Sequence, residues 1–117
     1  MTLPSPGPPA PGASAPPRSV VIHAHYYQPP RDEPGLELVE RDRGAAPWHD
    51  WNVRIERECY RAVAAARRPA ASGRIARIVN TLEATSWNAG PTLLAWMQQH
   101  APDTYQAFLV ADRLSVE

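Results

Sequence analysis

The chain of 117 residues has no lysine: all twelve basic residues are arginine, and twelve acidic residues balance them to a formal net charge of zero. A nucleic-acid binder normally carries a basic excess or a concentrated basic patch, and the linear sequence offers neither, so no nucleic-acid partner is expected. Cysteine is nearly absent. Cys59 stands alone, which excludes an internal disulfide framework. No run of about 18 apolar residues exists, so no membrane span and no membrane partner are expected. The N-terminus lacks a basic stretch followed by an apolar one, so no secretory signal is read and a cytoplasmic location is the expectation.

What the chain has in abundance is proline, fourteen in all, seven of them within residues 1–17. Apart from one leucine and a few alanines that stretch has nothing to bury, and it cannot offset its own ordering entropy. The expected organisation is therefore a disordered Pro/Ala-rich tail over 1–17 and a folded unit over 18–117.

Order is expected to begin at Ser19, where Ser19–His25 reads as a buried strand, ended by the prolines at 29 and 30. Residues 29–49 form a long connection, with Leu36, Leu38 and Val39 as a possible short element. Trp51, Ile55, Cys59, Ala62, Val63 and Ala66 then fall on one helical face. That spacing predicts a helix over Asp50–Arg67, capped by Asp50 and stopped near Pro69. Cys59 on that face reads as buried and inert. Arg74–Asn80 alternates as a strand, and Ala84–Asn88 reads as a second extended stretch. Pro91 suits the first position of a helix to His100, and Pro102 opens another to about Leu114. The order strand, loop, helix, strand, helix, helix looks like the opening of an α/β protein with a parallel sheet. The chain stops directly after a helix and reads as a beginning without its remainder.

His23 and His25 lie two apart, so both imidazoles project from the same face of the first strand. They sit at its carboxyl end, where α/β folds place their sites. Residue spacing leaves three roles open for them: satisfied strand-end histidines, contacts to a polar ligand, or two of the ligands of a metal. His49, His100 and Cys59 are further metal candidates but follow no recognisable spacing. Trp48 and Trp87 lie in or beside loops, where indole faces can stack on sugar rings. Trp51 and Trp96 read as core.

A family pattern joins these pieces. HAHYYQPPRDEP, APWHDWNVRIERECY, RIARIVN and SWNAGPTLLAW, in this order, resemble motifs of glycoside hydrolase family 57, in particular a large, little-characterised subgroup. The resemblance spans about residues 20–113. It implies an α/β fold in which this chain supplies the first βα segments of a distorted (β/α)7 barrel, left incomplete. It also implies a retaining hydrolase or glucanotransferase acting on an α-glucan or maltooligosaccharide, with no cofactor and no catalytic metal. Retention needs two carboxyl groups about 5–5.5 Å apart. In the family these lie on later strands, so no residue of this chain is assigned a catalytic role and the chain is expected to be inactive alone. What the resemblance carries over is substrate contact by His23, His25 and Gln28, to which Trp48 and Trp87 are added as stacking candidates. Two rival readings stand beside it: a non-enzymatic remnant that binds glucan or a partner through its aromatics, and a metal-binding module built on His23, His25 and His49.

Overall fold

Alternation along His23-Ala24-His25-Tyr26 gives a strand with two unlike faces, and its partner carries the same pattern. In the computed structural model, which describes residues 14–117 and residues 2, 4, 7, 8, 11 and 12, β1 (His23–Tyr26) pairs in parallel with a strand at Ser86–Ala89. The register sets His23 beside Ser86, Ala24 beside Trp87, His25 beside Asn88 and Tyr26 beside Ala89. Ala24, Tyr26, Trp87 and Ala89 are half-buried toward the core, and the other four residues are exposed.

Between the two strands the chain makes a helical run and a ribbon. α1 (Trp51–Ile55) opens at Asp50, whose carboxylate accepts from the Val53 amide at 3.0 Å. A π-helical stretch, Glu56–Tyr60, follows, and α2 (Arg61–Ala64) completes the run. β2 (Ala66–Pro69) and β3 (Ile75–Val79) then form an antiparallel ribbon, with Gly73 at φ +81° in its turn. A 3-10 turn at Thr81–Glu83 leads to β4 (Ser86–Ala89). α3 (Pro91–His100) and α4 (Pro102–Ser115) each begin on proline, whose fixed φ and missing N–H suit a helix start.

The core gathers Tyr60, Leu82, Leu93, Met97, Ala101, Phe108 and Ala111. Phe108 is the aromatic hub. Its ring meets Tyr26 edge-on at 5.3 Å and Trp87 at 5.1 Å, while Tyr26 also meets Tyr60 at 5.6 Å. Such edge-to-face contacts add to plain area burial, and they clamp the inner face of the parallel pair onto α4.

Several expectations are corrected. No incomplete (β/α)7 barrel forms: the described residues make four strands in two separate two-stranded sheets, one of them antiparallel. The stretch after the first helix turns back on itself as a local ribbon, where a barrel opening would send it to a common sheet. The first strand starts later than expected. Val20, Val21 and Ile22 are 91%, 77% and 64% exposed: β4 begins only at Ser86, whose amide reaches the Ile22 carbonyl at 2.9 Å, and the two valines lie before it.

The long helix ends at Ala64, with Pro69 closing β2 instead of standing just past a helix end. Its buried face is also not the expected one. Asn52, Glu56 and Tyr60 are buried, while Cys59 and Ala62 are exposed. The buried row keeps four-residue spacing from Asn52, so it stands one residue along from the expected row before the π stretch begins, while Ile55 and Val63 of the expected face still pack half-buried against the core. The expected tail over 1–17 falls partly on residues outside those described; its described residues are exposed and join no helix or strand.

Among the described residues no helix is long and apolar enough to cross a membrane.

Candidate functional site

Parallel pairing makes the candidate site. Because β1 and β4 run the same way in register, the exposed alternate residues of both strands stand side by side, His23 and Ser86 at the first position of each strand and His25 and Asn88 at the third, so the histidines open the strand and do not sit at its carboxyl end as expected. His23 Nδ1 lies 2.8 Å from Ser86 Oγ, and His25 Nδ1 lies 2.8 Å from Asn88 Oδ1. The two imidazoles meet edge to face at 4.8 Å. A carbonyl oxygen only accepts, so His25 donates from Nδ1 and, in the neutral ring, keeps Nε2 as an acceptor. The Asn88 amide nitrogen has no hydrogen-bond partner among the described residues. The face therefore offers fixed acceptors and donors at its surface. It has no carboxylate, so it suits the recognition of hydroxyl groups better than displacement at a carbon.

The segments leaving both strands meet a second feature. A cavity of about 400 Å³ is lined by Pro29 and Arg31 just after β1, by Thr92 just after β4, and by Trp96 and His100 of α3. The carboxyl ends of parallel strands are the usual place for ligands in open α/β sheets. Trp96 and His100 stack at 5.5 Å with 30° between their rings, presenting a flat wall. Across from it, His49 Nδ1 sits 2.9 Å from the carboxylate of buried Asp50, which also caps α1.

The remaining sequence-derived candidates are placed elsewhere. Gln28 is buried and fully engaged: Nε2 donates to the Tyr60 hydroxyl at 2.8 Å, and Oε1 accepts from Arg31 at 2.9 Å. Arg31 donates in turn to Asn52, and Tyr60 donates to the Tyr27 carbonyl at 3.2 Å. Burial raises the Tyr60 pKa above its ordinary value, which keeps the hydroxyl protonated as that donor. This network anchors the segment after β1 to the π-helical stretch, with both Gln28 amide atoms bonded inside the chain. Trp87 sits on the core side of β4, opposite the histidines, with its N–H given to the Leu82 carbonyl at 3.0 Å. Trp48 is half-buried near Glu58, with the Arg57 guanidinium 5.8 Å above its ring. Of the five candidates, only His23 and His25 share a face.

Cys59 is exposed, yet partial desolvation still pushes its thiol pKa up. Among the described residues no three His, Cys, Asp or Glu side chains gather as a metal would require.

Sequence reasoning missed Ser86 and Asn88. The signal was present: Ser-x-Asn repeats the polar, two-residue spacing of His-x-His, and two such strands in parallel register must align their polar residues. It also missed the buried Glu56, which accepts from Thr104 at 2.6 Å and from Arg61 at 3.0 Å.

The chain matches no protein-family model, no curated protein and no solved structure.

Proposed function

We propose that the His23–His25–Ser86–Asn88 face binds an α-glucan, and that the chain contributes substrate contacts to a retaining α-glucan hydrolase or glucanotransferase without containing its catalytic carboxylates. One observation carries the reading. Two imidazoles, each held by a polar neighbour at 2.8 Å, project from the exposed face of a parallel strand pair. Oriented neutral donors and acceptors are what a polyhydroxylated ligand needs. The motifs resembling glycoside hydrolase family 57 select the α-glucan among such ligands. The stacked Trp96–His100 wall beyond the strand ends offers a flat surface for a sugar ring.

Calorimetric titration with maltooligosaccharides tests the reading, with turnover followed in parallel by release of reducing ends. Binding without turnover is expected, unchanged by a chelator. Losing one neutral hydrogen bond costs about 0.5–1.5 kcal/mol, so His25→Ala and Asn88→Ala are each expected to weaken binding about two- to tenfold. Absence of binding would sink the glucan reading. Turnover by the chain alone would sink the placement of the carboxylates, and abolition of binding by chelator with recovery on zinc would replace sugar contact by a metal.

A further inference from the structure

The chain is neutral overall, but its exposed charge is sorted into two segments. The loop over residues 32–40 carries Asp32, Glu33, Glu37 and Glu40 with no basic residue, and the ribbon over residues 66–79 carries Arg67, Arg68, Arg74 and Arg77 with no acidic one. All eight are exposed, and none takes part in an ion pair among the described residues. The arginines cluster only once the ribbon folds, when Arg68 pairs directly with Arg77 across the strands. Like charges directly opposite on a sheet oppose its formation.

Each segment also exposes apolar side chains. Leu36 and Leu38 of the loop are 65% and 66% exposed, and Ile75 and Ile78 of the ribbon 55% and 65%. The loop closes on itself: Asp32 bridges Val39 antiparallel, the Glu33 amide donates to the Leu38 carbonyl at 2.8 Å, and a turn over residues 34–36 forms its tip. Among the described residues the outer edges of β2 and β3 pair with no further strand. Charged edges repel uncharged strands, but arginines on an edge admit an acidic one.

We propose that the acidic loop of one copy of this chain docks on the arginine ribbon of a second copy, so that the chain self-associates through a salt-sensitive contact. Arg67 and Ile78 lie on the face of the ribbon opposite Arg68 and Arg77, so the loop seats along an edge, where its carboxylates reach guanidinium groups of both faces and its leucines approach the exposed isoleucine side chains. A nucleic acid would satisfy the arginines but would leave Ile75 and Ile78 in water, whereas the loop satisfies both. The contact joins unlike surfaces, so each copy keeps a loop and a ribbon to offer. It either closes as a two-fold pair or continues from copy to copy.

Light scattering after size exclusion, run at about 0.05 M and about 1 M salt, reads the effect because screening shortens from roughly 14 Å to about 3 Å over that range. A mass of two or more chains at low salt and one chain at high salt is expected. The double variants Arg68→Glu/Arg77→Glu and Glu33→Arg/Glu37→Arg are each expected to run as single chains at low salt. Mixed together, they are expected to recover the pair, since the reversed loop of one now fits the reversed ribbon of the other. Circular dichroism checks that both remain folded, and if either does not, the salt series on the unaltered chain still decides. A single chain at low salt overturns the proposal. So does association that strengthens with salt, or variants that associate as well as the original. Capture of a DNA duplex by the unaltered chain, lost in Arg68→Glu/Arg77→Glu, would reassign the ribbon to a polyanion and overturn it as well.

Discussion

The two sheets of this molecule have the same size and opposite characters. β1 and β4 are separated by most of the chain, pair in parallel, and bury one face against Phe108, Tyr60 and the helices. β2 and β3 are joined by a short turn, pair antiparallel, and lie almost wholly in solvent. Their cross-strand partners differ just as much. On the exposed face of the first sheet, His23 meets Ser86 and His25 meets Asn88, each at hydrogen-bonding distance. On the second, Arg68 meets Arg77. A non-local pair repays its loop-closure entropy only through tertiary burial, while a local ribbon needs little more than its turn. The core therefore maintains the first sheet, and the polar residues on its open side are matched within the chain. Among the described residues the ribbon's charges have no partner.

If the core holds the parallel pair, removing its hub is the most damaging single change. Phe108→Ala deletes a buried ring that touches Tyr26 of β1 and Trp87 of β4. A loss of about 3–5 kcal/mol is expected, read by urea unfolding, with the tryptophan signal in near-UV circular dichroism lost alongside. A cost under about 1 kcal/mol, against that range for a filled core site, would mean that the parallel pair stands without its aromatic clamp.

A smaller effect is expected where the helical run meets α4. Glu56 is 2% exposed and joins Thr104 to Arg61, with Arg57 at 3.6 Å. Removing one member of a buried ion pair is most costly when it strands a buried charge. Both arginines here are nearly half exposed, so after Glu56→Ala water recovers them and the main orphan is the buried Thr104 hydroxyl. The expected cost is about 1–3 kcal/mol. Glu56→Ala/Thr104→Val, which removes both partners, is expected to be less destabilised than Glu56→Ala. Equal destabilisation would assign the cost to the arginines instead.

The features legible in the sequence are those set by local chemistry. Asp50 at a helix start, Pro91 and Pro102 at the heads of α3 and α4, the strand at Ile75–Val79 and the shared face of His23 and His25 all follow from residue type and spacing. What stayed hidden depends on phase or on partners. Apolar periodicity points to the row of Trp51, Ile55 and Cys59, whereas the buried row is Asn52, Glu56 and Tyr60, whose polar atoms are met by Arg31, Thr104 and Gln28 across the fold. Val20, Val21 and Ile22 read as a buried strand because composition cannot reveal that the facing strand starts at Ser86. Gln28 reads as a ligand contact through the family resemblance, and Trp87 as a stacking candidate because it lies beside a loop. Their hydrogen bonds to Tyr60 and Leu82 turn them inward, and no sequence spacing records those bonds. Arg68 and Arg77 are nine positions apart in sequence, and only the ribbon's register makes them neighbours.

That register gives the smallest and sharpest test of the contrast. If Arg68 and Arg77 face each other with no carboxylate between them, Arg77→Thr removes a like-charge pair and places a β-branched residue on an exposed strand. Both changes favour the ribbon. A stabilisation of about 0.2–1 kcal/mol is expected, and it is expected to shrink at about 1 M salt to the part that strand propensity supplies, as screening removes the repulsion it relieves. The matching change on the other sheet has the opposite sign, since Asn88→Ala removes the acceptor of the His25 proton at 2.8 Å. Thermal melts of both variants, taken at a dilution where the chain is monomeric, place the two signs side by side. Should Arg77→Thr destabilise the chain at low salt, the arginine must already be held by a group of its own chain. The ribbon would then be a finished structural element with no vacancy for a partner.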